Sequence, residues 1–188
     1  MSDTTKRWLW GIGIAVGVLL FSYISIRNQL ITIRESVDAS WAQVENQLQR
    51  RYDLIPNLVE TAKGYAKQEQ KVFGDIAASR AQLAGAKTVS DRVAASNQME
   101  SALARLLVVV ENYPNLKSDQ TFLRLMDELS GSENRISVER RRFNENVQAY
   151  NIKVIRFPSS VVAKQLGYQK LDYFKSADGA KEAPKVQF

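Results

Sequence analysis

The stretch FLRLMDELSGSENRISVERRRFNENVQAY, residues 122–150, decides how the rest of the chain is read. Phe122, Leu129, Ile136, Phe143 and Tyr150 recur every seven residues, and so do Met126, Glu133, Arg140, Val147 and Val154. Two adjacent heptad rows make one helical stripe that must bury itself against other helices. Gly131 sits inside the pattern, but the phase carries across it, so the spacing predicts one helix over 118–156 capped by Ser118.

The same period runs backwards along the chain. Leu30, Val37, Val44 and Arg51 form one row, and Arg34, Trp41, Leu48 and Ile55 another. They predict a helix over 28–54. Pro56 reads as the start of the next helix, because a missing N–H costs nothing in a first turn. That second helix is expected over 56–84, followed by the loop Gly85-Ala-Lys-Thr-Val-Ser90. A third, capped by Ser90, spans 90–112 and stops before Pro114, since the residue preceding proline avoids helical geometry. Short connections make neighbours antiparallel. The fold class is therefore all-α: an up-down four-helix bundle over 28–157. A short C-terminal helix and aromatic segment follow at 158–174, ending a helical turn at Gly167. Residues 175–188 read as a polar tail closing on Pro184-x-Val186-x-Phe188.

Ahead of the bundle, residues 8–26 (WLWGIGIAVGVLLFSYISI) carry no charge. A hydrocarbon core needs ~20 such residues. Trp8, Trp10 and Tyr23 lie near the ends, where amphipathic rings suit the headgroups. A cleaved leader does not fit, since Arg27-Asn-Gln-Leu follows the apolar run and the helical pattern continues. Residues 1–27 thus read as a single-pass transmembrane anchor running on into the bundle. Lys6 and Arg7 favour an inside amino terminus, and so a bundle on the extracytoplasmic side of the bacterial inner membrane, a bias that Arg27 and Arg34 on the other flank weaken. Gly13 and Gly17 offer a close-packing face to another helix in the bilayer.

Composition excludes much chemistry. The 188 residues include no cysteine and no histidine, which removes thiolates and imidazoles as nucleophile, base or metal ligand. Net charge is +6, but the cations are spread along the chain. No basic stripe with interleaved aromatics suggests nucleic acid. No phosphate loop, nucleophile elbow or dinucleotide fingerprint is present.

Charges within the seam are the sharpest remaining feature. Counting residues from the Pro56 and Pro114 corners brings Glu69, Glu100 and Glu133 to one level, with Arg140 near by. They are expected to form a structural polar layer. At the corner, Asp53 is expected to cap the helix start, and Arg51 to pair with Glu111. Carboxylates at one bundle level also raise a metal centre or a carboxylate enzyme. The usual ligand set for that needs Glu-x-x-His, which a chain without histidine lacks.

Several blocks together are specific. They are Trp41-x-x-Val44-x-x-x-Leu48, Arg51-x-Asp-Leu-Ile-Pro-Asn-Leu-Val59, Lys63-Gly-Tyr-Ala66 with Glu69, Glu111-x-Tyr-Pro-x-Leu-Lys117, Glu133-Asn-Arg-Ile136, Arg140 to Asn144, Phe157-Pro158, Gly167-Tyr168 and Tyr173-Phe174. With the terminal Pro184-x-Val-x-Phe188, the chain resembles the LemA family of bacterial membrane-anchored proteins. The resemblance implies a long helical bundle behind one membrane span, with no established enzymatic activity. Lys67-Gln68 stand where many relatives carry histidine. The expected function is a non-enzymatic scaffold, without cofactor, whose partners are the lipid bilayer, further copies of itself or another membrane protein. An adaptor for a membrane protease is the alternative that the resemblance adds. Pro184, Val186 and Phe188 are the candidate docking tail.

Overall fold

The computed structural model describes residues 3–174, with side chains from residue 7. Among them are six helices and no strand: α1 Asp3–Tyr65, α2 Gln70–Gly85, α3 Val89–Val110, α4 Pro114–Lys117, α5 Gln120–Ile155 and α6 Ser159–Gln165. The chain is all-α. The expected docking tail, Pro184, Val186 and Phe188, lies outside the described residues.

The first correction concerns Pro56, which lies inside α1 and not at a corner. Arg51, Ile55, Leu58, Ala62 and Ala66 form one unbroken buried row across it. An interior proline costs about 3 kcal/mol. Burying a residue such as Ile55 or Leu58 returns about 1.5–3 kcal/mol each, so packing holds the helix straight through. The turn comes at Ala66–Glu69, where the Glu69 N–H reaches back to the Ala66 carbonyl. Asp53 accordingly caps nothing; exposed in mid-helix, it accepts a bond from Gln49.

Two caps move as well. Thr88, not Ser90, starts the third helix. Its hydroxyl accepts from the Asp91 N–H at 3.1 Å, and the Asp91 carboxylate accepts from the Thr88 N–H at 3.3 Å. This reciprocal pair satisfies two donors where a lone serine satisfies one. Asp119, not Ser118, caps α5 by accepting from the Phe122 N–H at 2.9 Å. A carboxylate suits the positive end of a helix better than a hydroxyl, and Ser118 turns back to the carbonyls of Pro114 and Asn115. α5 then runs 36 residues through Gly131 without a break. α6 ends on Gly167 at φ +70°, where a left-handed residue is needed. Tyr168 N–H to Ala163 and Gly167 N–H to Lys164 complete that C-cap.

In place of one bundle over 28–157, the chain divides into two compact units. One comprises the chain up to Trp41 together with Phe143–Tyr173; the other holds Ala42–Arg142 with Phe174.

In the first unit α1 and α5 run antiparallel. Gln29 meets Lys153, Ser36 meets Asn146, and the rings of Trp41 and Phe143 lie 5.2 Å apart. α6 folds over this pair. Its Val162 and Ala163 bury Leu30, with Ile26, Val154, Leu166 and Tyr168 around them. The Asn151 side chain then clamps the Leu171 backbone at both its N–H and its carbonyl, 2.9 Å each. Before Ile26, the apolar residues of α1 are open: Trp8, Ile14, Leu19 and Phe21 are all more than half exposed.

The second unit is the four-helix bundle. Glu45 meets Arg92 and Arg51 meets Glu100, so α1 and α3 run the same way. Asp75 meets Arg105 and Tyr65 meets Asp119, so α2 and α5 run opposite to them. Ile55, Leu58, Ala62, Phe73, Ile76, Met99, Leu103, Leu106, Leu116, Phe122 and Leu129 fill the interior. At 16 and 22 residues, α2 and α3 are shorter than the spans drawn from the sequence.

Candidate functional site

One group of charged side chains lies among these apolar residues. α1 contributes Arg51, α3 contributes Glu100 and Ser96, and α5 contributes Glu133 and Arg140. Each falls on its helix's inward stripe, which is why an apolar seam carries charge here. The Arg51 guanidinium pairs closely with Glu133 and lies 3.7 Å from Glu100. Arg140 donates to Glu100 at 2.7 Å and to the Ser96 hydroxyl at 3.1 Å, with Glu133 at 3.7 Å. Each arginine therefore touches both carboxylates, and the group is neutral as a whole. The arginine side chains are 8% and 15% exposed, against 31% and 38% for the glutamates. The cations form the inner part of the group, and the carboxylates keep some water.

Two aromatic residues border the group. Burial pushes the Tyr52 hydroxyl up to about 12, with the Arg51 charge opposing it. Phe174 comes from the end of the described chain, and its ring lies 4.4 Å from the Arg140 Cζ. A guanidinium held over a ring face is attracted to its π electrons. Ser96 and Tyr52 are not singled out by the sequence, and Phe174 stands there only within the Tyr173-Phe174 block, with no role at this site. Ser96 and Tyr52 sit near the inward face of their helices, a weak signal, whereas Phe174 follows a non-periodic segment, so no helical spacing points it at the polar group.

The remaining candidates are elsewhere. Glu69 does not join the group; it accepts a bond from the Tyr113 hydroxyl at 3.0 Å, which raises the tyrosine's pKa. The level expected for Glu69 assumes a corner at Pro56, whereas the corner is at Ala66–Glu69 itself. Glu111 does not pair with Arg51 but with Lys117, across the turn that Pro114 opens at the start of α4. At the same end, Tyr65 donates to Asp119 at 2.9 Å. The N–H of Phe122 and this hydroxyl hold the Asp119 carboxyl below its usual range. A Cβ added at Gly13 or Gly17 meets nothing within 4 Å, so that face of α1 is open.

The arrangement suits structure better than catalysis. Both carboxylates are already taken up by guanidinium donors, and neither stands free as a base. Among the described residues, no three acidic side chains are placed to share a metal ion.

These features define a class: an all-α bundle protein whose first helix, α1, is long and apolar enough near its start to cross a membrane. The sequence model of the LemA family matches residues 40–188, and the chain belongs to that family. It is similar to magnetosome protein MamQ of Magnetospirillum gryphiswaldense, at 27% identity over 78% of this chain and 64% of the relative. Magnetosome protein MamQ 2 of Paramagnetospirillum magneticum is also 27% identical, over 85% of this chain and 67% of the relative. Protein LemA of Metamycoplasma hominis is 22% identical over 88% and 76%. This chain thus spans about two thirds of the length of its magnetosome relatives.

Proposed function

We propose that this chain is a non-enzymatic membrane-anchored scaffold of the bacterial envelope that assembles with further copies of itself. The observation that carries the reading is the change of environment along α1. Its apolar residues are exposed from Trp8 to Ile24, and its inward-facing residues are buried from Leu30 onward. An uncovered surface of that size in water is unfavourable, at roughly 25 cal/mol per Å². A bilayer covers it, and the open Gly13/Gly17 face lets a second α1 approach closely. The neutral polar group supports a structural role, since it leaves no free nucleophile or base. Relatives named for the magnetosome rather than for a reaction agree with that reading. Lys6 and Arg7 before the span favour the extracytoplasmic side for the bundle, with Arg27 and Arg34 on the other flank opposing them, so the protease test below decides the side.

The test uses the full chain in its own membrane. Carbonate washing should leave it in the pellet, and protease should reach the bundle only after the outer barrier is opened. Cross-linking should give dimers or larger species that Gly13→Leu with Gly17→Leu reduces without releasing the chain. Release by carbonate overturns the anchor, and a strict monomer overturns self-assembly.

A further inference from the structure

The cations look scattered in sequence, but the first unit gathers them. Residues 20–34 of α1 carry Arg27 and Arg34; residues 146–171 carry Lys153, Arg156, Lys164 and Lys170. Neither segment holds an aspartate or a glutamate. The antiparallel pairing brings the two segments together, although more than a hundred residues of chain separate them. Arg34 is taken up by Asp38 at 3.1 Å and by the face of Tyr150. Arg27, Lys153, Arg156 and Lys164 are exposed.

Their level is set by packing. Ile26 and Leu30 stand immediately after the exposed apolar run, and they contact Val154, Val162, Ala163 and Leu166. The end of α5 and all of α6 are therefore beside the first turns that follow the span. The corner between them carries apolar groups outward. Phe157 is 80% exposed, Ile155 56% and Val161 53%. An open groove of about 630 Å³ runs along α1 from Phe21 and Ile24 past Gln29 to Ser36, with Lys153 of α5 on its wall. It is apolar toward the span and polar at Gln29, which accepts from Lys153 at 3.1 Å.

From this we infer that the α5–α6 corner is a second membrane contact, in which Phe157 and Ile155 enter the headgroup layer and Lys153, Arg156 and Lys164 bind anionic phospholipid. The inference rests on the anchor reading of α1, which fixes where the bilayer surface lies. Apolar side chains flanked by lysine and arginine are what a bilayer interface accepts. Each cation near an anionic surface adds to the attraction. The groove has room for part of one lipid, an acyl segment along Phe21 and Ile24 with the phosphate at Lys153. The excess of cations over carboxylates near this corner favours phosphatidylglycerol-type headgroups over zwitterionic ones.

The chain has no cysteine, so Phe157→Cys accepts a single nitroxide label. Gln148→Cys, exposed on α5 about two and a half helical turns before it, serves as the control. Both full-length variants are placed in vesicles of phosphatidylcholine, with or without phosphatidylglycerol. The ratio of oxygen to nickel-chelate accessibility is then read by electron paramagnetic resonance. With phosphatidylglycerol, the ratio at 157 should exceed that at 148 several-fold. It should fall toward the control in neutral lipid, and also when Lys153, Arg156 and Lys164 are all changed to Gln. Equal ratios at both sites, in a chain that carbonate does not release, overturn this inference alone. Equal immersion in both lipids overturns the recognition of anionic headgroups. A chain released by carbonate overturns the anchor and this contact with it.

Discussion

Arg51→Met removes the innermost cation of the polar group while keeping most of its apolar stem. Glu133 then loses its close partner and retains only Arg140 at 3.7 Å; Glu100 loses its 3.7 Å contact and retains Arg140 at 2.7 Å. Two unit charges at that longer spacing attract by about 4–5 kcal/mol at an effective dielectric of ~20. Repulsion between Arg51 and Arg140, and the cost of taking guanidiniums from water, offset part of this. Removing one partner of a fully buried pair typically costs about 3–5 kcal/mol. The Glu133 side chain is 38% exposed, so water takes over some of its charge and the expected loss is about 2–3 kcal/mol. For a chain of 188 residues that lowers Tm by roughly 5–10 °C. The assay is thermal melting of the full chain in detergent, followed by circular dichroism at constant pH and salt. Glu133→Gln alone and combined with Arg51→Met completes a cycle with a coupling of about 1–2 kcal/mol. A melting curve moved by less than about 1 °C, or strict additivity of the two changes, refutes the reasoning.

Pro56→Ala should stabilise the protein by about 1–3 kcal/mol, because it restores a helical N–H inside α1; a lower urea midpoint would count against a helix-interior proline. Phe174→Ala should leave the bundle folded but free the end of the chain, since the ring over Arg140 contributes about 0.5–2 kcal/mol. Hydrogen exchange should then quicken at residues 172–174, and unchanged protection there speaks against the ring contact. Asp119 has a depressed pKa in the folded state, so its contribution is present above the ordinary carboxylate range and is lost as pH falls below about 4. Tyr65→Phe removes one cause of that depression and should flatten the acid side of the stability profile; parallel profiles for the two proteins would contradict it.

The long helices were legible because one period persists through them. In α5 the seven-residue rows run past Gly131 unbroken, and the helix does the same. Pro56 misled because its local cost is visible in sequence, whereas the burial of Ile55, Leu58 and Ala62 that outweighs it depends on helices far along the chain. That misplaced corner carried its error into the site. Counted from residues 66–69, the position level with Glu100 and Glu133 is Arg51, and Glu69 lies at the turn beside Tyr113. The acidic half of the polar group could thus be read from spacing, and its innermost cation was assigned to the wrong carboxylate. The cationic patch of the first unit was invisible for a different reason. It is assembled from two segments that only the antiparallel pairing of α1 and α5 brings together.

The pair Arg51–Glu133 also decides which of several alignments the two helices can adopt. An apolar seam repeating every seven residues fits nearly as well when one helix slides by a heptad. Here such a slide is not neutral. Moved one way, α5 presents Arg140 to Arg51, two like charges in a poorly solvated interior; moved the other way, it presents Met126 and leaves the guanidinium only the more distant Glu100 of α3. The seam supplies adhesion at every register, and one ion pair selects among them.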